Sequence, residues 1–587
     1  MAEAGNSGIL ALMRILLVTL HSRYVHASLA LPYLAAVCHD LPVEVARLEF
    51  TLQEPKESLL AQILEHKPDL VAFSTYQWNR HATLELVDAL HAARPEVRLV
   101  LGGPEVSFDG PELFRRHPGL YALVRGEGEG PFRALVEALL SAREPVDIPR
   151  LCVRSKDGIP QEGPEGLPLD DLDAIPSPFA LGLVDTARGQ IYLETSRGCP
   201  YDCAFCMSAL DSRVRSFSMA RIERDLAWLM EGEVPLVKLV DRTFNYDAAR
   251  ARHIWQFILE HNRASRFHFE IGAHLLTDAC LELLARVPEG MFQFEIGVQS
   301  TLPATLSAVG RRASLDKLEQ NVRALVRAGN IHLHLDLIFG LPGEDYHHFL
   351  ASIDRVLALN PDHLQVEPVK LLPGAPLRRQ AGQLGIRFDP NPPYTVLATP
   401  DLDFDRLEQL RAVSRLLDLT WNSRRFVHLY RQLAALGHAV SSILDSLASW
   451  CRARGALRHP LGLTALYALV DSWILETCPQ EEQSALRQAL LRDHARNERV
   501  QPAAPPPYAG APLNAAETAL VHKVLERMRA EKAQSGRLHW YACALDRLPG
   551  RKGLRTPALF TYRHSSGRRL QVEEFWLTED GIVAVDE

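Results

Sequence analysis

The chain has 587 residues, of which 47% are hydrophobic, 7% aromatic and 23% charged, and 64 basic against 72 acidic residues leave a formal charge of −8. That composition excludes a disordered or collagen-like chain and predicts about three or four domains. The acidic balance offers no broad electrostatic footprint for nucleic acid, so no nucleic-acid partner is expected.

The opening Met1-Ala2-Glu3-Ala4 carries an acid where a signal peptide carries a base. The apolar run from Ile9 is cut by Arg14 and is too short to span a bilayer. A cytoplasmic protein without a membrane span is therefore expected. Residues 13–18 read as a first strand, so the preceding dozen residues are an extension, or Met13 is the true start. Nine cysteines, at positions 38, 152, 199, 203, 206, 280, 451, 478 and 543, are an odd number that argues for a reducing interior and against a disulfide framework.

Up to about residue 148 the pattern alternates apolar strands with helices. Strands are predicted at 14–20, 68–74, 97–102 and 121–125, and helices at 28–38, 81–93 and 131–142. Near-continuous apolar strands alternating with helices mean a parallel sheet covered on both faces, a doubly wound Rossmann-like domain whose ligand lies outside the carboxyl ends of the strands. Residues 149–185 are read as a linker, because 160–179 (PQEGPEGLPLDDLDAIPSPF) is rich in turn residues and lacks periodicity.

A second α/β region is predicted over 186–390. Its strands are expected at 191–195, 236–240, 267–271, 292–298, 332–339 and 363–369, with helices at 220–230, 248–262, 278–286, 315–328 and 346–359. Six strand–helix units fall short of a closed eight-stranded barrel, so a partial (β/α)6 barrel is expected. Over 391–587 the pattern turns mostly helical, at 405–419, 426–436, 440–453, 463–476 and 514–532, with a proline-rich break at 502–512. Alternating segments at 538–545, 558–562 and 569–576 predict a small antiparallel sheet at the end. This third region carries no chemically legible motif and is expected to cap the open barrel.

Chemistry enters after the first barrel-type strand, in Ser196-Arg197-Gly198-Cys199-Pro200-Tyr201-Asp202-Cys203-Ala204-Phe205-Cys206. Three thiolates at C-x3-C-x2-C spacing suit one loop around an iron–sulfur cluster, with one iron left open to a non-protein ligand. Structural zinc wants four closed ligands, and the nearest downstream histidines, His253 and His261, are far along the chain. This spacing, with Phe205 before the last cysteine, resembles the radical S-adenosylmethionine (SAM) superfamily. The resemblance implies a 4Fe-4S cluster held by Cys199, Cys203 and Cys206, with SAM chelated on its free iron and cleaved to a 5′-deoxyadenosyl radical.

The resemblance extends to later strand ends. Asp241, in Asp241-Arg242-Thr243-Phe244-Asn245, takes the place of the family's acceptor for the SAM amino group. The resemblance assigns Gln299, of Gly297-Val298-Gln299-Ser300, and Asp336, which runs on to Gly340-Leu341-Pro342-Gly343, to the ribose hydroxyls. It assigns Glu270 and Arg311 to the methionyl end. Singly, Glu270 or Asp336 reads more readily as a cap partner or barrel salt bridge. Following the cysteines in this order, Glu270, Gln299 and Asp336 take the functional reading. Arg311 stands between a SAM contact and a solvated arginine, and His332 and His334 read as structural.

A doubly wound domain in front of such a barrel resembles the cobalamin-binding branch of the superfamily. The likeness rests on Ser74, Tyr76 and Trp78 after one strand, Gly102 and Gly103 after the next, and Gly126 and Glu127 after the fourth. Glycines at strand ends let backbone approach a large flat ligand. Trp78 is either cover for cobalamin or an ordinary interface aromatic. In the first loop His21 is present, but the Asp and Gly that accompany a cobalt-ligating His in the methionine-synthase pattern are missing. A lower face covered by the 76–78 loop is expected instead, with His26 lining or capping the first loop.

The resemblance implies a cobalamin-dependent radical SAM enzyme that methylates an unactivated carbon of an unidentified organic substrate, fed by a flavodoxin- or ferredoxin-type electron donor. Three alternatives stay open: a non-methylating cobalamin radical SAM cyclase or rearrangement enzyme, a radical SAM enzyme without cobalamin, and a zinc-stabilised interaction protein.

Overall fold

In the computed structural model, which describes residues 12–23, 27–531, 538–546, 553–564, 570–578 and 581–584, the chain divides into two units. One comprises residues 1–344, 359–362 and 368–403, and the other residues 345–358, 363–367 and 404–587.

The first unit begins with a seven-stranded sheet. Its strands are β1 Met13–His21, β2 Val43–Thr51, β3 Leu70–Ser74, β4 Arg98–Gly102, β5 Leu120–Val124, β6 Leu151–Arg154 and β7 Pro160–Glu162, in the order β2-β1-β3-β4-β5-β6-β7. Strands β1 to β5 are parallel, and β6 and β7 are antiparallel additions at one edge. The predicted core strands form where expected because each is built around a buried apolar run. All five residues of β3 are buried. Strand β2 was not expected: it sits at the edge with only Phe50 buried, so its mixed VEVARLEFT pattern carries little hydrophobic signal. Strands β6 and β7 lie in the stretch read as linker. Their pairing is with distant β5 and each other, which turn residues in the sequence do not reveal.

The barrel strands follow in the same unit: β8 Gln190–Leu193, β9 Leu236–Leu239, β10 Arg266–Glu270, β11 Phe292–Gln299 and β12 His332–Phe339. They are parallel neighbours in chain order. The sixth predicted strand, β13 His363–Pro368, also forms, and its residues 363–367 belong to the second unit. Burial alternates strictly along β11 and β12. Phe292, Phe294, Ile296 and Val298 therefore face covering helices, and Glu295, Gly297 and Gln299 face the other way. Between the strands, helices start on side-chain caps. Ser218, Asp247, Thr277 and Ser314 each accept a hydrogen bond from a first-turn N–H, which fixes where each helix leaves its strand. Behind the sheet Trp255 is fully buried among Phe244, Phe269 and Phe294. Truncating it to alanine is worth about 3–5 kcal/mol, the usual cost of deleting a core aromatic.

The second unit is mainly helical, with helices including Phe404–Leu416, Val427–Ala435, Val440–Ala453, Leu463–Thr477, Gln480–Asn497 and Ala515–Glu531. It ends in a four-stranded antiparallel sheet of His539–Leu545, Thr556–His564, Leu570–Thr578 and Gly581–Ala584. Residue 569, where the last predicted strand starts, lies outside the described residues, as do residues 1–11. Helix Gln480–Asn497 escapes a periodicity reading because it buries charge: Arg492 pairs with Glu574 at 2.8 Å, and Asp493 meets His428 at 2.8 Å. No helix among the described residues is long and apolar enough to cross a membrane.

Candidate cofactor sites

Strand β8 delivers the cysteine loop. Cys199 and Cys203 are buried and Cys206 is half-buried. The loop is held by backbone bonds that its sequence does not advertise: Ala204 donates to the carbonyl of Val309 at 2.8 Å and accepts from Leu377 N–H at 2.7 Å. The Cys206 Sγ accepts from Ser208 N–H at 3.4 Å and so caps the short turn Met207–Leu210. Around the other sulfurs stand Thr243 Oγ1, 3.4 Å from Cys199 Sγ, and Arg311 Nη1, 3.9 Å from Cys203 Sγ. Burial pushes the Cys203 thiol up, while the Arg311 guanidinium and its hydrogen bond pull it down. A cation and a hydroxyl aimed at soft sulfur suit an anionic thiolate cluster. Among the described residues, no group of three or more His, Cys, Asp or Glu is arranged to hold a single metal ion.

Thr243 was not singled out from the sequence, nor were Tyr201 and His274. The Tyr201 hydroxyl lies 2.7 Å from His274 Nε2, and the Arg311 guanidinium sits over the Tyr201 ring at 6.0 Å. Burial and the nearby Arg311 push His274 down to about 4, so it is a neutral imidazole at physiological pH.

The strand tops bring four of the predicted residues into one electrostatic set. Arg311 Nη2 donates to the carbonyl of Gly297. Gln299 folds back over Gly297, where an added Cβ would lie 2.1 Å from its Nε2 and would push that side chain aside. Gln299 itself has a left-handed φ of 73°, and its buried Oε1 has no hydrogen-bond partner. Such strain in a non-glycine residue is costly and marks a place where a particular side-chain direction is required. Asp336 Oδ1 is likewise buried and makes no hydrogen bond, with His334 Nε2 3.4 Å away. Burial, then repulsion from Glu295 and Glu270, raises Asp336 to about 8, and burial raises Glu270 to about 7 against the pull of Arg242. Orphaned acceptors and uncomfortable carboxyls describe a site that gains by taking a cationic, hydrogen-bond-donating ligand.

Asp241 lies at the same end of the barrel and makes hydrogen bonds to β8's exit. Its carboxylate accepts from Thr195 N–H at 3.1 Å, from Thr195 Oγ1 at 2.6 Å and from the Ser196 hydroxyl, and Arg250 lies 3.9 Å away. Buried, with three hydrogen bonds already made, it ties β8's exit to β9's end. A strand-end Asp reads the same whether it points to a ligand or to its neighbour, so the sequence does not distinguish the two.

A cavity of 530 Å³ opens at the carboxyl ends of the first sheet. Ser74, Tyr76, Gly102, Gly103, Gly126 and Glu127 line it. So do Tyr33 and Phe132 from helices and, from the barrel side, Arg197, Gly198, Met207 and Arg242. The cavity therefore runs up to the residue beside Cys199. Gly103 has φ 107°, and an added Cβ would lie 2.4 Å from the Thr75 carbonyl oxygen, so only glycine fits this turn. Trp78 does not line the cavity. It is 49% exposed, stacks on Tyr76 with ring centroids 4.5 Å apart, and donates from Nε1 to the Leu20 carbonyl at 3.0 Å. His21 is also away from the lining: it sits 2.8 Å from Glu49, which Arg188 approaches at 2.7 Å. His26 lies outside the described residues. Glu127 lines the cavity with its carboxylate already taken, by Arg215 at 2.5 and 3.2 Å and by Arg197 at 3.5 Å.

Residues 15–136 match the family model of the B12 binding domain, residues 193–356 that of the radical SAM superfamily, and residues 382–529 that of a protein of unknown function, DUF4080. The chain is 30% identical over 397 residues to the cobalamin-dependent radical SAM methyltransferase TokK of Streptomyces tokunonensis, covering 63% of this chain and 57% of that protein. It is 29% identical over 375 residues to the 2-(S-pantetheinyl)-carbapenam-3-carboxylate methyltransferase of Streptantibioticus cattleyicolor, covering 59% and 54%. The chain thus spans little more than half the length of these two relatives. In fold it is similar to the cobalamin-dependent SAM radical enzyme OxsB, solved with aqua-cobalamin and SAM bound, with a TM-score of 0.58 and 16% identity over 83% of this chain and 84% of that one.

Proposed function

We propose that this chain, a member of the radical SAM superfamily with an N-terminal B12-binding domain, is a cobalamin-dependent radical SAM enzyme that methylates an unactivated carbon. The observation that carries the reading is a 530 Å³ cavity walled on one side by the sheet's glycine turns and on the other by residues flanking the cysteines. Relatives named as a cobalamin-dependent radical SAM methyltransferase and a carbapenam-carboxylate methyltransferase support it.

Cys199, Cys203 and Cys206 would hold the cluster, for which an all-thiol set flanked by Thr243 and Arg311 is suited. Glu270, Gln299 and Asp336 would hold SAM, whose ammonium and ribose hydroxyls supply the donors that the buried Gln299 and Asp336 oxygens lack. Tyr76, Gly102, Gly103 and Gly126 would receive cobalamin by backbone approach and ring contact. When bound, the cluster with SAM supplies a 5′-deoxyadenosyl radical and cobalamin a transferable methyl group. The residues themselves orient: Arg311 holds the Gly297 carbonyl and stands beside the Cys203 sulfur. A boundary between the first sheet and the barrel after Glu162, where β7 ends, a cytoplasmic location and a flavodoxin- or ferredoxin-type electron donor belong to the same proposal.

Anaerobic turnover with cell extract as substrate source and methyl-labelled SAM tests it. The expected result is 5′-deoxyadenosine together with a labelled carbon-methylated product. Deoxyadenosine with no methylated product rejects methylation and leaves a cyclase or rearrangement.

A further inference from the structure

The acids of the second glycine-rich turn, Gly126-Glu127-Gly128-Glu129-Gly130, face the cavity region yet spend their charge on the barrel. Glu129 accepts from Arg197 Nη2 at 2.5 Å, and the same guanidinium reaches Glu194 at 3.0 Å and lies over the Tyr33 ring at 6.0 Å. Glu127 is held by Arg215, which also donates to Asp211 at 2.9 Å and to the Leu169 carbonyl at 2.6 Å. Asp211 in turn accepts, through its backbone carbonyl, the N–H of Cys199 at 3.2 Å. Two charged arms therefore leave one turn of the B12-binding domain and arrive at the first cysteine, one through Arg197 two residues before it and one through Asp211.

We infer that Glu127 and Glu129 are positioning residues for the iron–sulfur loop: they clamp Cys199 to the wall of the cobalamin cavity and are not ligands of cobalamin. The inference rests on the two-cofactor reading above. Charge-assisted hydrogen bonds are shorter and about twice as strong as neutral ones, and here they are largely buried. Arg197 and Arg215 are 12% and 8% exposed in their side chains, so each arm holds one geometry and does not fluctuate in water. The clamp makes the spacing between the two cofactors a property of one turn.

The test uses the full chain, reconstituted anaerobically with iron, sulfide and hydroxocobalamin, and compares wild type with Glu127→Gln/Glu129→Gln. The readouts are the Kd for hydroxocobalamin, iron content, the Kd for SAM, and the electron paramagnetic resonance spectrum of the reduced cluster with and without SAM. The expected result is a hydroxocobalamin Kd and iron content close to wild type, a broadened cluster spectrum, and a SAM Kd raised about tenfold, as loss of about one good charged contact gives. A raised hydroxocobalamin Kd with unmoved cluster spectrum and SAM affinity overturns the clamp and returns the glutamates to cobalamin. If the double variant does not fold, Arg215→Lys, which keeps the charge but loses the fork, is read by the same measurements. Wild type that takes up no iron or no cobalamin defeats the two-cofactor reading itself; wild type that takes up both, with variants spectrally identical to it, defeats the clamp alone.

Discussion

Where the first sheet ends, the chain offers glycines, a stacked Tyr76 and small side chains; where the barrel strands end, it offers carboxyls, a strained Gln299 and polar atoms without partners. The first arrangement receives a ligand by shape, because backbone at Gly102 and Gly103 leaves room and demands little charge. The second receives one by charge, because Asp336 and Glu270 are uncomfortable until something cationic arrives. The two are joined by the cysteine loop, which is rigidly pinned on both sides. Substitutions in either lining, away from the Glu127 and Glu129 clamps, should leave the other cofactor in place.

The largest separation is expected from Cys203→Ser. Iron content should fall to background and SAM affinity by on the order of 100-fold or more, given that even outer contacts at metal sites cost about 10–100-fold. Hydroxocobalamin binding, followed by its absorbance, should be unaffected; joint loss of both cofactors breaks the comparison. Gly103→Val is the mirror experiment. The new side chain meets the Thr75 backbone at a φ of 107°, costing about 1–3 kcal/mol of strain. Cobalamin retention should drop sharply while iron content holds.

Much of this division was legible before any coordinates. Cys199, Cys203 and Cys206 are close in sequence and answer to one chemistry, so spacing sufficed. The core strands β1, β3, β4 and β5 are dominated by apolar residues and announce themselves. What stayed hidden depends on partners far along the chain. Asp241 is consumed by Thr195 and Ser196, 46 and 45 positions away, and Glu127 by Arg215, 88 positions away. Trp78 turns from the cavity because its indole bonds Leu20. Thr243 next to Cys199 also comes from a different strand end, and one threonine carries no signal of its own. Edge strands β2 and β7 were missed because an edge needs little apolar surface, and β6 because its apolar run is only three residues long.

A smaller effect sharpens the charged side. Asp336 in the folded, ligand-free chain titrates at about 8 against an ordinary 3.8. The native chain thus holds a proton the unfolded chain has released, and its stability declines as pH rises across that interval. Asp336→Asn removes the burden. Its Tm should exceed wild type by a few degrees at pH 8.5 and match it near pH 4, measured without SAM. A Tm difference that does not grow with pH places the carboxyl in a solvated setting. Smallest of all, Trp78→Ala should change hydroxocobalamin affinity by less than about threefold, under about 0.7 kcal/mol, because the ring lies outside the lining. A larger loss would return Trp78 to the ligand.

The most direct measurement takes one anaerobic sample of the full chain reconstituted with iron, sulfide and hydroxocobalamin. Iron, cobalt and zinc are counted together, and the reduced cluster's paramagnetic resonance spectrum is recorded before and after SAM. The account predicts one cobalt and one four-iron cluster per chain, with a spectrum that shifts when SAM binds. Zinc in place of iron, or a cluster spectrum indifferent to SAM, contradicts it.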